Sequence, residues 1–211
     1  FGDHFRVVHK RASDKHQRDE FRRSKYVQSD MEDIFRRVRE DLKTGIPVLF
    51  TGTPCQTAGL RSYIDGKLAE NLYLADIVCH GTPSPAVWDS YLSWHEDLAG
   101  EKAKNVIFRD KAFGWRISRE TIEFDGRNVS SRSYNHLFYQ NIMMRESCGV
   151  CPFASVYRPS DLTMADYWRK DKTCPDFASD NLGCSLVLCS TDKGRKFMDD
   201  VAESLHLQQV E

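Results

Sequence analysis

The sequence predicts an α/β to α+β protein, with parallel strand-helix units followed by a mixed sheet. Two short apolar runs, Ile46 to Phe50 and Leu72 to Val78, each end at a turn that leads into a helical pattern, the spacing of a parallel unit. The two turns repeat a tripeptide, Gly52-Thr53-Pro54 and Gly81-Thr82-Pro83. Beyond Gly100 the pattern shifts to shorter strands, with Asp125-Gly126 as a hairpin turn.

Taken in order, residues 1–24 are dense in charge, carry His4, His9 and His16, and are expected to form a solvated arm. The remainder, 25–211, is expected to be one domain without a clear linker. Asp30 is placed to cap a helix whose apolar residues Met31, Ile34, Phe35, Val38 and Leu42 follow the helical period, and Gly45 closes it. After the first strand, Thr53 and Gln56 have capping-box spacing and Pro54 suits the first helical position. The second strand leads to a helix carrying Val87, Trp88, Tyr91, Leu92 and Trp94. Asn105 to Phe108, Ile117 to Phe124 and the segment at Val129 are expected strands, and Tyr134 to Met144 an expected helix. Leu162 to Ala165 and Ser185 to Leu188 complete the strands, and a last helix starts near Thr191.

Composition narrows the function classes. The 211 residues are 40% hydrophobic and 29% charged, with a net charge of −1, so nothing global favours nucleic acid or an acidic membrane as partner. No apolar run approaches the ~18 residues of a membrane span, and no signal-peptide pattern is visible. The chain opens at Phe1, which is expected of a piece of a longer protein. Seven cysteines form an odd set for a disulfide framework, so a reducing compartment, the cytoplasm, is expected, with the thiols doing chemistry or binding metal.

Four thiols sit at turns: Cys55, Cys79, Cys148 and Cys151. Cys55 stands on the first turn of a helix, among unpaired N–H groups that favour thiolate. Cys148 and Cys151 form a C-x-x-C, which suits one metal or a redox disulfide. Together the four meet the demand of tetrahedral zinc or of a [4Fe–4S] cluster, and small packed cysteines with no metal are the plain alternative. Cys184 and Cys189 belong to an apolar strand and are expected to pack, while Cys174 is a spare ligand at most.

Six motifs occur in a fixed order: Ser24-Lys25-Tyr26-Val27-Gln28-Ser29, Val48 to Gln56, Cys79 to Pro85, Phe108-Arg109-Asp110-Lys111 with Gly114-Trp115, Arg145 to Cys151, and Ser160 to Trp168. In these the chain closely resembles the C-terminal domain of the coenzyme F420 hydrogenase/dehydrogenase beta subunit family, over roughly residues 24–200. The bacterial branch it looks most like often accompanies cell-surface polysaccharide pathways and usually carries an N-terminal ferredoxin-like domain. The resemblance implies an oxidoreductase holding FAD and a [4Fe–4S] cluster, which passes electrons between an iron–sulfur chain and a two-electron carrier or substrate. A ferredoxin-like domain or protein is the implied electron partner. The motif positions imply Cys55, Cys79, Cys148 and Cys151 as cluster ligands, with helix N–H groups near Cys55 able to bond cluster sulfides.

For the flavin pyrophosphate, two helix N-termini at one sheet edge would supply donors. Gly52, Thr53, Gln56, Thr82 and Ser84 are the expected lining residues, and Lys25 and Lys111 the expected cations. The family's Asp-Phe-Trp-Gly stands here as Asp166-Tyr167-Trp168-Arg169, which questions the backbone geometry at that point. Two other readings remain: a cysteine-nucleophile enzyme using Cys55 with His80 as base, and a zinc-stapled binding module without catalysis.

Overall fold

The computed structural model describes residues 1–177 and 181–210. In chain order its elements are α1 (Lys15–Asp19), α2 (Ile34–Lys43), β1 (Val48–Gly52), α3 (Pro54–Tyr63), β2 (Leu72–Ile77), α4 (Pro85–Ala99) and β3 (Asn105–Ile107). There follow β4 (Glu120–Glu123), β5 (Asn128–Ser131), α5 (Ser133–Tyr139), β6 (Leu162–Asp166), α6 (Lys170–Thr173), β7 (Ser185–Cys189) and α7 (Asp192–Val201). The chain divides into two units. One holds Phe1–Ile34 and His80–Val150, the other Phe35–Cys79 and Cys151–Glu211.

The unit of Phe35–Cys79 and Cys151–Glu211 is built on a mixed sheet in the order β1-β2-β6-β7. β1 and β2 run parallel from Val48↔Leu72 to Gly52↔Asp76; β6 continues parallel to β2, and β7 returns antiparallel to β6. Parallel neighbours need a crossover, and α3 lies on the path between β1 and β2. The strand alternation buries Phe50 with its partner Leu74, and Phe35 of α2 meets Phe50 edge-on at 6.1 Å. Tyr73, one residue out of phase, meets Phe197 of α7 at 5.5 Å. Each fully buried Leu or Phe here contributes about 1.5–3 kcal/mol.

The other unit carries an antiparallel sheet, β3-β4-β5, with α4 and α5. Its core is aromatic: Trp88 lies 4.4 Å from Phe108 and 5.3 Å from Tyr134, ring centre to ring centre, with Leu92, Val106 and Ile122 around them. Glu120 of β4 is buried in this core and accepts from the Tyr91 hydroxyl at 2.9 Å, the Tyr134 N–H at 2.9 Å and Asn135 Nδ2 at 2.6 Å. Burial and the Glu120 carboxylate both push the Tyr91 and Tyr134 phenols up. Within the charged first residues, Val7 joins the same core and Val8 bridges Asp30.

The broad fold class stands as expected, but three local expectations are corrected. The helix near Asp30 begins at Ile34, because Asp30 is engaged as an extended bridge with Val8 and its carboxylate accepts from the Glu32 N–H at 2.9 Å. The helix expected to run from Tyr134 to Met144 stops at Tyr139, and Asn141 is left-handed with φ 61°. The second Gly-Thr-Pro turn does not open its helix. There Pro83 bridges Met144, and α4 starts at Pro85 under a Ser84 cap, within the antiparallel unit.

Candidate functional site

The carboxyl edge of the parallel pair is where the first two cysteines leave the sheet. Gly52 and Asp76 are paired, Cys55 lies three residues beyond Gly52, and Cys79 three beyond Asp76. At the first exit Thr53 has the extended conformation of an N-cap and Pro54 occupies the first helical position. Gln56 reaches back, its Oε1 accepting the Thr53 N–H at 2.9 Å, as the capping-box spacing predicts. Gly52 permits that reach, since a Cβ there would stand 3.0 Å from Gln56 Oε1 and 3.2 Å from the Phe50 ring. Cys55 is exposed on this first turn, with its sulfur 3.1 Å from the Thr53 hydroxyl. The turn is anchored below by Thr57, fully buried, whose hydroxyl donates to Pro54 O at 3.1 Å and accepts from Ser160 at 2.8 Å.

At the second exit the chain stays paired one residue past the strand, Val78 N–H donating to Met164 O at 2.9 Å, and half-buried Cys79 follows. The segment after Cys151 is fastened to this edge by Arg158. Its guanidinium donates to Phe153 O at 2.8 Å, Ser155 O at 3.3 Å, Ile77 O at 2.9 Å, Asp76 Oδ1 at 3.1 Å and the Thr163 hydroxyl at 3.2 Å. The pair is dry: the Arg158 side chain is 6% exposed and that of Asp76 0%. A charge so buried needs both a counter-ion and satisfied donors, and Arg158 has both.

Cys148 belongs to the other unit, on a short 3-10 turn, Glu146–Cys148, with its sulfur 3.9 Å from the Thr82 hydroxyl. Thr82 O accepts the Arg145 N–H at 3.1 Å, and Pro83 O accepts the Gln28 N–H at 3.0 Å. Gly81 makes this approach possible. Its φ is 145°, and a Cβ would lie 2.7 Å from Met144 Sδ and 3.5 Å from Cys148 Cβ.

Of the expected flavin residues, Gly52, Thr53 and Gln56 share the Cys55 turn, and Thr82 and Ser84 share the Cys148 unit, where Ser84 caps α4 through the Ala86 N–H at 3.2 Å. Lys25 does something the spacing does not announce. Its ammonium donates to the carbonyls of Glu20, Phe21, Arg22 and Arg23 at 2.9–3.3 Å, closing its own turn, and burial pulls its pKa down. Lys111 is exposed on the 3-10 turn Lys111–Phe113. Arg169 has φ −88°, which any residue adopts, so its replacement of a glycine carries no backbone strain. The His80 ring lies tilted against Phe138 at 5.0 Å and Tyr139 at 5.6 Å. Cys174 and Cys184 are buried, and burial pushes the Cys184 thiol up, as packing residues would show.

Sequence reasoning does not single out Arg158 and Asp76, although a carboxylate inside the apolar run Leu72 to Val78 is the signal that a cation must come to it. Among the described residues no three His, Cys, Asp or Glu side chains surround a single-ion position. Cys55, Cys79, Cys148 and Cys151 are in no disulfide among the described residues, and none is fully buried. A set of sulfur donors alone is soft, and a cubane takes each thiolate on a separate iron, so the donor chemistry fits an iron–sulfur centre.

A family model for the C terminus of the coenzyme F420 hydrogenase/dehydrogenase beta subunit matches residues 47–211. No curated protein matches the chain. Among solved structures, a chain of the F420-reducing [NiFe] hydrogenase complex from Methanosarcina barkeri, studied by xenon derivatisation, superposes with a TM-score of 0.52 at 15% identity. The match covers 87% of this chain and 57% of that one, so this chain spans little more than half the length of its structural neighbour. Among the described residues no helix is long and apolar enough to cross a membrane.

Proposed function

The chain belongs to the coenzyme F420 hydrogenase/dehydrogenase beta-subunit family, in its C-terminal part, and from that premise we propose that it is a flavin- and iron–sulfur-dependent oxidoreductase domain. Its ligands to a [4Fe–4S] cluster are Cys55, Cys79, Cys148 and Cys151. The observation that carries this reading is the exit of Cys55 and Cys79 at equivalent places beyond two hydrogen-bonded parallel strands, the edge where α/β sheets take ligands. When bound, cluster and FAD supply the exchange between one-electron and two-electron carriers, and the protein supplies binding and orientation.

The residues' own tasks follow from their positions. Cys55 sits exposed on the first turn of α3. Gln56 and Gly52 hold that turn closed. Thr53 and Thr82 bring hydroxyls beside Cys55 and Cys148. Gly52, Thr53, Gln56, Thr82 and Ser84 line the FAD phosphates, with Lys111 as a cation. Lys25 is the second cation, and its ammonium also holds its own turn. The electron partner is a ferredoxin-like domain or protein, the terminal substrate is a small molecule, and the compartment is the cytoplasm, where seven cysteines outside any disulfide persist.

Anaerobic purification tests the reading. Brown protein is expected, with about four irons and four sulfides per chain and with FAD released on denaturation. Colourless protein that takes up no iron and sulfide on reconstitution overturns it, as does one tightly held zinc from the same anaerobic preparation.

A further inference from the structure

Arg158 is placed to do more than balance Asp76. The thiols of Cys79 and Cys151 lie 72 positions apart in sequence, and each is followed or preceded closely by an acceptor of this one guanidinium. Ile77 O, two residues before Cys79, is 2.9 Å away, and Phe153 O, two residues after Cys151, is 2.8 Å away. Asp76 and Thr163 fix the fork from beneath, on β2 and β6, while Ser155 O holds the outer part of the loop. Residues 154–157 beyond it are exposed, with Val156 at 81% and Tyr157 at 88%. Packing therefore does little to hold this arc, and the planar five-donor fork is what ties it to the strand end.

We infer that Arg158 is a positioning residue that sets the separation of Cys79 and Cys151, so that both thiolates meet one iron–sulfur centre. The inference rests on the ligand assignment proposed above. Lysine cannot substitute, because one ammonium with three donors does not span five acceptors arranged around a plane. One oxygen of the Asp76 carboxylate, Oδ2, is buried without a hydrogen-bond partner among the described residues. The carboxylate thus depends on Arg158, and a variant lacking the cation would suffer an unpaired charge as well as a loose loop. The two effects separate in a double variant.

The experiment uses the full chain, cluster-free and reduced under anaerobic conditions, with a short bis-maleimide, to whose two double bonds the two thiols add, and peptide mapping of the Cys79–Cys151 product. Wild type, Arg158→Lys, Arg158→Gln and Arg158→Gln/Asp76→Asn are compared. Melting temperature and uptake of iron and sulfide are measured on the same samples. Arg158→Gln should crosslink about tenfold less than wild type and lose cluster affinity by about 10–100-fold, as outer residues that orient ligands do. The double variant should regain melting temperature but neither crosslinking nor cluster. Recovery of all three would show that Arg158 only neutralises Asp76, and would overturn the inference. If Arg158→Gln does not fold, Arg158→Lys decides, since wild-type crosslinking and cluster uptake in it also overturn the inference. A wild-type chain that crosslinks but takes up no iron and sulfide sinks the ligand assignment and leaves the positioning role standing.

Discussion

Glu120 in β4 and Asp76 in β2 are both carboxylates buried inside strands, one in each unit, and they are held in opposite ways. Glu120 is held by neutral donors, a phenol, a side-chain amide and backbone N–H groups, 14–29 residues away in sequence. Asp76 is held by a guanidinium 82 residues away. The first arrangement fastens the start of α5 and the middle of α4 to their own sheet, so its purpose is the fold of that unit. The second reaches across the chain and ties a cysteine-bearing loop to a strand end. A buried ion pair rarely stabilises more than apolar packing would, so the Asp76–Arg158 pair is worth more to the local geometry than to overall stability.

The sharpest break of that comparison is Glu120→Ala. It takes the acceptor from the Tyr91 hydroxyl and the Tyr134 N–H, leaves Asn135 Nδ2 with only Phe108 O, and removes several charge-assisted hydrogen bonds in a dry core. A loss of about 3–5 kcal/mol is expected. Trp88, Trp94 and Trp115 lie in this unit and Trp168 in the other. Tryptophan fluorescence during urea unfolding should therefore report the loss directly. An unchanged midpoint would mean that the carboxylate has no structural task.

Smaller effects come from the two glycines that let chain segments pass closely. Gly81→Ala combines a strained φ of 145° with a 2.7 Å contact to Met144 Sδ, and should cost about 2–4 kcal/mol. Gly52→Ala meets the flexible end of Gln56 and the Phe50 ring, and should cost about 1–3 kcal/mol. Adding Gln56→Ala should relieve part of the second cost, which a double-mutant cycle in urea would read. Strict additivity would show that the cap and the glycine are not coupled.

What is legible in the sequence follows from how far each feature reaches. β1, β2, α3 and α7 are visible because apolar period, proline and caps are local signals; Thr191 indeed accepts from the Gly194 N–H at 3.0 Å. The strand order is not. β6 and β7 return to the first sheet after a whole antiparallel sheet intervenes, and strand periodicity carries no address for its partner. The echoed Gly-Thr-Pro misleads for the same reason, because Pro83 is engaged in a bridge with Met144, 61 residues on. The cysteine positions are legible as turns, and Asp76 is a warning that spacing alone passes over. Lys25 shows a local task that its motif does not announce. Its motif position suggests an anion as partner, yet four carbonyls within five residues of it are its acceptors, a capping role that lysines near helix ends commonly take.

The last expected effect is on pH dependence, and it separates the units again. His95 of α4 is buried against Tyr91 at 4.7 Å and Trp94 at 4.6 Å, with Nε2 lacking a hydrogen-bond partner among the described residues. Burial lowers its pKa, and the Glu120 carboxylate offsets this only in part. The unfolded chain therefore takes up the proton first as pH falls below about 6.5, so the unit loses stability from there down to the lowered native value, and is at full strength above it. His95→Gln should flatten this part of the profile without changing the carboxylate-driven loss at lower pH. Urea midpoints for both proteins at several pH values between about 5 and 8 measure it. A wild-type profile no steeper than the variant's would mean that His95 keeps its proton in the folded core, and that the aromatic unit tolerates a buried cation as readily as the sheet of β1 and β2 tolerates Arg158.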